Sequence, residues 1–430
     1  MAIDDPHDPG RTRRRIVIHG MNFSPEPIGV GRYTGGLAAY LASQGEAVDV
    51  ITGVPHYPGW KVQPPYRARR YSIEERDGMH IVRCPLVLDA NGRGIWRLIT
   101  PVTFALAAAP VALWRILRRR PHAVVCVQPT LLSAPAAVLA AKLSGARCIL
   151  HVQDLEVDAA FNVGHLRGEW LRRMAIALER FMLRRFDCIV TISERMRDRI
   201  VAKGVAPDRL RVLRNWVDLS NIRRVDGPNG FRDSLGLAPS DFVVLYAGQI
   251  GPKQALPVLL EAAQRCAGRA NIRFVIAGDG PGKKELVDTY GHAANVQFLP
   301  LQPEERLCEL LNLADLHVLT QDRRAADLVL PSKLGGMLAS GRPVLVTADA
   351  GTELHDLLDG LAIVVPSHDV AALAGAIEKA SIERPQPPPE TAALLEQFSS
   401  EAVLPAFHRV IRESPRRAQR TSQSGTRIAG

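Results

Sequence analysis

Residues 331–333, Pro-Ser-Lys, bring a hydroxyl and a cation to the start of a helix-forming run, Leu334-Gly-Gly-Met-Leu-Ala-Ser340, which Gly341-Arg342-Pro343 closes. At a helix start such groups stand beside unbonded backbone N–H groups, where the helix dipole is positive, an arrangement suited to an anion such as a nucleotide diphosphate. The same residues also describe an ordinary N-terminal cap ahead of a buried helix. Two glycine-rich loops are further places where backbone can approach a ligand closely: Pro27-Ile-Gly29-Val-Gly31 through Gly36, and Gly278-Asp279-Gly280-Pro281-Gly282. The first departs from the Gly-x-Gly-x-x-Gly spacing, and no acid closes the following strand at Val50-Ile51-Thr52, which disfavours a nicotinamide site. The second reads equally as a tight turn. Asp154, Glu156 and Asp158 alternate, so on an extended segment they share one face, as metal ligands would; no histidine partners them within the run. His151 stands just ahead of them and, taken alone, reads as a core histidine.

These residues need elements to hold them. Ile16–His19, Ala47–Thr52, Ile81-Val82, Ala123–Val127, Cys148–Val152 and Cys188–Ile192 read as short buried strands between helical segments. After Asn215-Trp-Val-Asp218 the pattern restarts with Phe242–Tyr246, Ile272–Ala277, Val296–Leu299, Leu316–Thr320, Val344–Thr347 and Ile363–Val365. Strands alternating with helices predict parallel sheets covered on both faces. The expected class is therefore α/β, as two doubly wound, Rossmann-like domains facing across a cleft. The expected divisions are a flexible N-terminus over 1–14, one domain over 15–212, a second over 213–392, a helix over 393–413 packing back on the first domain, and a disordered basic tail over 414–430. Ligands of such sheets bind outside the carboxyl ends of the strands, which is where the glycine-rich loops fall.

At 430 residues with 47% hydrophobic content the chain is too long for one ordinary core, consistent with two domains of about 200 residues each. A net charge of +10 points to an anionic partner, and the 5% of aromatic residues do not interleave with basic ones, so nucleic acid is excluded in favour of a membrane surface or a phosphorylated substrate. Six widely spaced cysteines, without a Cys-x-x-Cys pair, argue against disulfides and zinc and for a reducing compartment. The N-terminus lacks the apolar core of a signal peptide, which places the protein in the cytoplasm. Leu98 to Trp114 is apolar, flanked by Arg97, Arg115 and Arg118-Arg119-Arg120, and carries Pro101 and Pro110. It is short for a spanning helix and reads either as an interfacial segment on the inner face of the plasma membrane or as a buried helix. Glu169 to Arg185 shows apolar residues at helical spacing with arginines mostly on the other face, the pattern of a solvated amphipathic helix.

From about Arg15 to Glu413 the chain resembles glycosyltransferase family 4, of the two-domain GT-B architecture, and within it the colanic-acid-type exopolysaccharide glycosyltransferases. The resemblance rests on Asn22-Phe-Ser-Pro-Glu-Pro27 with Gly29-x-Gly31-Arg-Tyr-Thr34, His56-Tyr-Pro-Gly-Trp60, His151-Val-Gln-Asp154, Asn215-Trp-Val-Asp218 and Tyr246-Ala-Gly-Gln-Ile-Gly-Pro-Lys-Gln254. It continues through Gly278-Asp-Gly-Pro281 and Pro331-Ser-Lys333 to Gly341-Arg-Pro343. It implies a metal-independent, retaining enzyme without a cofactor, binding a UDP- or GDP-sugar in the second domain and a saccharide acceptor in the first.

Residue by residue, the resemblance assigns the donor diphosphate to Lys253, after the first strand of the second domain, and to Lys333. Gln249 stands where the family often has an arginine, and Arg323, Arg324 or Lys333 would replace that charge. Gly29 and Gly31 would bring backbone N–H groups to the donor phosphates, and His151 corresponds to a histidine near the donor sugar. Asp154 and Asp158 become acceptor-side or structural acids. Alignment on Gly341-Arg-Pro343 puts Leu328 and Gly336 where the family carries a pair of glutamates eight positions apart; Asp327 would stand in for the first, nothing for the second. Asp279, Gly280, Glu353, Pro331 and Ser332 complete the expected donor site. The implied reaction is transfer to a polyprenyl-diphosphate-linked saccharide in exopolysaccharide, capsule or lipopolysaccharide synthesis. A nucleotide-sugar 2-epimerase and an inactive nucleotide-sugar-binding subunit are the alternatives.

Overall fold

The computed structural model describes residues 13–62, 64–88, 96–129, 131–155, 169–326 and 330–413. The chain divides into two compact units, the first running to Leu213 and regaining the chain from Leu404, the second comprising Arg214–Val403.

The first unit is built on β1 (Arg15–His19), β2 (Ala47–Gly53), β3 (Ser72–Arg76), β4 (Met79–Cys84), β5 (Ala123–Gln128), β6 (Arg147–Val152), β7 (Cys188–Thr191) and β8 (Leu210–Val212). They form one sheet in the order β3-β4-β2-β1-β5-β6-β7-β8. All neighbours are parallel except β3 and β4. Helices α1 (Val30–Ser43), α2 (Trp96–Arg119), α3 (Ala134–Ser144), α4 (Glu169–Leu183) and α5 (Glu194–Ala202) connect them. The strands β1, β5 and β6 are buried on both faces, which is why they read as continuous apolar runs. Two strands lacked that signal. β3 is a largely exposed edge strand of sequence Ser-Ile-Glu-Glu-Arg, held by the Glu74–Arg83 ion pair, and β8 has only three residues.

Two helices of this unit carry apolar residues outward. α2 buries Phe104, Ala108, Ala112 and Ile116, a stripe at fourfold spacing, in the core. Its opposite stripe, Val102, Leu106, Pro110 and Trp114, is exposed. By length and composition α2 is long and apolar enough over Ile99–Arg119 to cross a membrane. α4 exposes Trp170, Met174, Leu178 and Phe181, again one helical stripe, so its outward face is apolar where the sequence pattern suggested a polar one.

The second unit carries β9 (Phe242–Ala247), β10 (Ile272–Ala277), β11 (Val296–Leu299), β12 (Leu316–Leu319), β13 (Val344–Thr347) and β14 (Ile363–Val365). Its fully parallel sheet has the order β11-β10-β9-β12-β13-β14, that of a Rossmann domain. The helices are α6 (Gly230–Ser234), α7 (Leu256–Arg265), α8 (Lys283–Tyr290), α9 (Leu307–Leu311), α10 (Leu334–Ala339), α11 (Glu353–Leu358), α12 (Val370–Glu383) and α13 (Thr391–Glu396), with α14 (Ser400–Arg412) returning to the first unit. β9 shows the strand alternation plainly. Val243, Leu245 and Ala247 enter one core cluster, and Phe242, Val244 and Tyr246 the cluster on the other face.

The returning segment is fixed within the first unit. His408 Nε2 lies 2.7 Å from Glu46 Oε1, Arg14 Nη1 donates to the Arg412 carbonyl at 2.6 Å, and Arg147 donates to Glu413 Oε2 at 2.8 Å. Strand order reverses between β1 and β5 in the first sheet and between β9 and β12 in the second, so the loops after these strands are where a ligand of this fold binds.

Candidate functional site

In the second unit the loops after β9 and β10 pack backbone on backbone. Gly248 donates to the Ala277 carbonyl at 2.9 Å, Ile250 to the Asp279 carbonyl at 2.9 Å, and Gly282 to the Ile250 carbonyl at 3.3 Å. Gly278 and Gly280, at φ 151° and 153°, permit this approach. A Cβ on Gly278 would stand 1.8 Å from the Gly248 oxygen, and one on Gly280 2.1 Å from the Ile250 oxygen. The Asp279 side chain is exposed and accepts from the Gly280 N–H at 2.8 Å.

Tyr246, the penultimate residue of β9, is fully buried, and its hydroxyl donates to the Gln249 carbonyl at 2.5 Å. Burial raises its pKa, so the phenol stays protonated and pins the turn that carries Gln249. Over its ring lies Lys333, with Nζ 3.8 Å from the centroid. The lysine stem runs past Gly248, where an added Cβ would be 3.3 Å from Lys333 Cδ and 3.7 Å from Nζ. Lys333 keeps part of its surface exposed, but Nζ itself is sealed and has no hydrogen-bond partner among the described residues. Burial lowers its pKa to about 7.

The other cations near this edge are occupied. Arg323 pairs with Asp349 at 2.6 Å and Arg324 with Asp322 at 3.0 Å. Lys253 sits half-buried on a 3₁₀ turn, and its carbonyl accepts from the Asp322 N–H at 2.9 Å, tying the β9 loop to the segment after β12. Ala255, next along, has φ 47°, a left-handed conformation that costs a non-glycine residue about 1 kcal/mol or more and that persists only where surrounding structure imposes it. Here Thr320 Oγ1 donates to the preceding Gln254 carbonyl at 2.6 Å.

The helix at Lys333 differs from an ordinary capped one. Neither Ser332, which is exposed, nor any other side chain caps it, and Pro331 supplies only its carbonyl to Leu334 N–H at 3.1 Å. With six residues α10 has a weak dipole, so the lysine is the main source of positive field. Gly336, where the resemblance would place a second glutamate, is half-buried. An added Cβ would lie 3.3 Å from Leu311 Cδ1 and 3.8 Å from Ile222 Cδ1. Glu353, at the start of α11, is buried and paired with Arg214 at 3.0 Å. Asp327 and Leu328 lie outside the described residues, as do Glu156 and Asp158.

In the first unit the loops after β1 and β2 meet at Glu26, which is buried. Its Oε1 accepts from the His56 and Tyr57 N–H groups, both at 3.1 Å, and its Oε2 from Asn22 Nδ2 at 2.9 Å. Burial raises its pKa, opposed by His56. Gly31 makes room for this carboxylate, since an added Cβ would come within 2.4 Å of Glu26 Oε2; Gly29, at φ 69°, abuts Tyr57. In the sequence Glu26 and Tyr246 stand as members of the family motifs, and Tyr246 as the end of an apolar strand, with nothing to mark the role of either.

His151 lies within β6, buried against Phe407 at a ring separation of 4.9 Å. Gln153 Nε2 lies 2.9 Å from its Nε2; an amide NH₂ only donates, so Nδ1 carries the ring proton, and Nδ1 has no partner among the described residues. Burial lowers its pKa to about 3, so the ring is neutral. Asp154 is half-buried three residues on. No group of three or more His, Cys, Asp or Glu side chains placed to hold a metal occurs among the described residues.

This fold recurs in solved glycosyltransferases. Sucrose-phosphate synthase from Thermosynechococcus elongatus superposes with a TM-score of 0.67 at 17% identity over 93% of this chain and 98% of that one. Anabaena Alr3699/HepE, solved in complex with UDP and glucose, gives 0.66 at 14% identity over 93% and 99%. Two largely parallel, Rossmann-type sheets of this kind make up the GT-B fold. The Glycosyl transferase 4-like domain family matches residues 29–216 and the Glycosyl transferases group 1 family residues 241–381. Over 377 residues, 85% of this chain and 92% of its counterpart, the sequence is 39% identical to a protein of Escherichia coli named as a colanic acid biosynthesis glycosyl transferase, WcaI. The chain belongs to glycosyltransferase family 4, in its colanic-acid type.

Proposed function

We propose that this glycosyltransferase moves a sugar from a UDP- or GDP-sugar, held by the second unit, to a saccharide carried on polyprenyl diphosphate and bound by the first, in the assembly of an exopolysaccharide, capsule or lipopolysaccharide. The observation that carries the reading is Lys333: a buried cation without an anion, at the switch point of a Rossmann sheet. When the glycosidic bond breaks, negative charge grows on the leaving diphosphate, and a preorganised cation in a dry site stabilises it most. Lys253 is the second cation, and Gln249, Asp279, Gly280, Pro331 and Ser332 border the same edge. Glu353 supports the site through Arg214. The neutral His151 presents its Nδ1–H to a sugar hydroxyl and, with so low a pKa, does not carry a proton; Asp154 serves the acceptor side. Transfer proceeds with retention and without a metal, the leaving phosphate taking the proton of the incoming hydroxyl.

The kinship with WcaI, named for colanic acid biosynthesis, and the capture of UDP and glucose by HepE support the substrate classes. Contact with the cytoplasmic face of the membrane is supported by the outward apolar stripes of α2 and α4. The test is to incubate purified protein with a panel of UDP- and GDP-sugars. Slow release of nucleoside diphosphate from one donor, abolished in Lys333→Ala, is expected. Binding without turnover would instead favour an inactive subunit, as Gln249 and Gly336 in place of the family's charged residues would suit. Interconversion of the sugars would mark an epimerase. Lys253→Ala is expected to cost roughly 2 to 4 kcal/mol of transition-state stabilisation.

A further inference from the structure

The first sheet has a second basic locus, at the edge opposite its carboxyl ends. Arg15 opens β1, Ala47 opens β2 and His122 precedes β5, and around these strand starts lies a cavity of about 610 Å³. Arg13, Arg15, Arg119, Arg120, His80 and His122 line it, with Asp49 as its one acid. That carboxylate is buried and already spent: Arg119 Nη1 stands 2.6 Å from it, Arg115 Nη1 3.3 Å and Arg15 Nε 3.8 Å. Arg13 and Arg120 have no ion-pair partner among the described residues. Attraction to the C-terminal dipole of α2 accounts for cations at its last turn, but not for Arg13 and Arg15, which come from the strand β1 and its approach. Arg120 adds an independent sign. It takes φ 42° at the end of α2, a left-handed position where glycine is the ordinary residue, so a long cation is kept where the backbone disfavours it.

We propose that this cavity is a binding site for a phosphoryl group, separate from the donor site and on the opposite edge of the sheet from the β1 and β2 loops. Guanidinium forks oriented by one shared carboxylate match the tetrahedral oxygens of a phosphate. The exposed stripe Val102, Leu106, Pro110 and Trp114 runs along α2 toward this cavity, with Arg118 stacked on Trp114 at 5.8 Å. A phosphate here comes either from the headgroup of an anionic lipid whose chains meet that stripe, or from a soluble phosphate ester. The proposal uses nothing from the second unit, so it stands or falls apart from the donor reading.

The test uses the full chain, two probes and three variants. Arg120→Gly suits the left-handed backbone and is expected to hold or raise the thermal midpoint; Arg13→Ser changes an exposed side chain. Binding of glycerol 3-phosphate is measured by calorimetry, and binding to phosphatidylcholine vesicles containing phosphatidylglycerol by co-sedimentation. Each arginine variant should weaken binding by about tenfold, the loss of one charge-assisted hydrogen bond. Weakening with glycerol 3-phosphate alone assigns a soluble phosphate ester; weakening with vesicles, with or without weakening with glycerol 3-phosphate, assigns the lipid headgroup, and Trp114→Ser should then reduce vesicle binding as well. Folded variants that bind both probes as the wild type does, or a wild type that binds neither, would overturn the proposal.

Discussion

At the carboxyl edge of the first sheet the buried acid Glu26 has both oxygens occupied by three donors, whereas at the same edge of the second sheet the buried cation Lys333 has no hydrogen-bond partner among the described residues. Both are ionisable groups under glycine-rich loops, and both have pKa values shifted toward the neutral form by burial. Their difference separates structure from function. A satisfied buried group rigidifies the loops around it, whereas an unsatisfied one stores a cost that folding alone does not repay and that an arriving counter-charge can. Tyr246 lessens the cost at Lys333 by lending its ring face but leaves the N–H donors unused.

Substitutions can break each side of this contrast. The largest effect is expected from Gly278→Ala, whose Cβ would meet the Gly248 oxygen at 1.8 Å in a backbone conformation closed to alanine. It should cost roughly 4 kcal/mol or more in denaturant unfolding of the second unit and abolish nucleotide binding. Next, Glu26→Ala leaves the His56 and Tyr57 N–H groups and the Asn22 amide without an acceptor, at roughly 3 kcal/mol of stability. A thermal midpoint unchanged from wild type would show that Glu26 does not hold these loops. Lys333→Met should act in the opposite direction on stability. With its pKa lowered from 10.5 to about 7, the folded chain binds fewer protons at Lys333 than the unfolded chain between those values, so this lysine makes stability rise with pH across that window. Below about pH 7 both states are protonated and the full burial cost remains, so the variant should be more stable than wild type there and lose the advantage as pH approaches 10.5. The smallest effect is expected from Arg324→Gln, which removes an exposed pair with Asp322 worth about 0.5 kcal/mol, and unchanged turnover would show that this arginine does not replace the missing cation at Gln249.

Much of this architecture was legible because buried parallel strands are continuous apolar runs: β10, β11, β13 and β14 fall where the hydrophobic pattern predicts them. β3 escaped because an exposed edge strand needs no such run, and β8, Leu-Arg-Val, because an exposed arginine interrupts its apolar run, whereas the equally short β14 is Ile-Val-Val throughout. At the site, the serine and lysine at 332 and 333 were readable as anion-binding chemistry, but local sequence could not show that the serine would stay uncapped and exposed. Nor could it show that the lysine would lie on Tyr246, a contact between residues 87 positions apart made by strand order alone. The outward apolar stripe on α4 was missed for a related reason. Helical spacing reveals that a face exists, not which way the fold turns it.

The central claim is that Lys333 waits for the diphosphate of a nucleotide, and calorimetric titration of UDP and GDP at pH 8, in two buffers of different ionisation enthalpy, tests it most directly. If the claim holds, binding of the preferred nucleotide by the wild-type protein takes up nearly one proton, because the diphosphate raises the pKa of the lysine beneath it, and Lys333→Met binds more weakly with no uptake. Tight binding by Lys333→Met with the same proton uptake as wild type would contradict it and move the diphosphate to Lys253 and its loop.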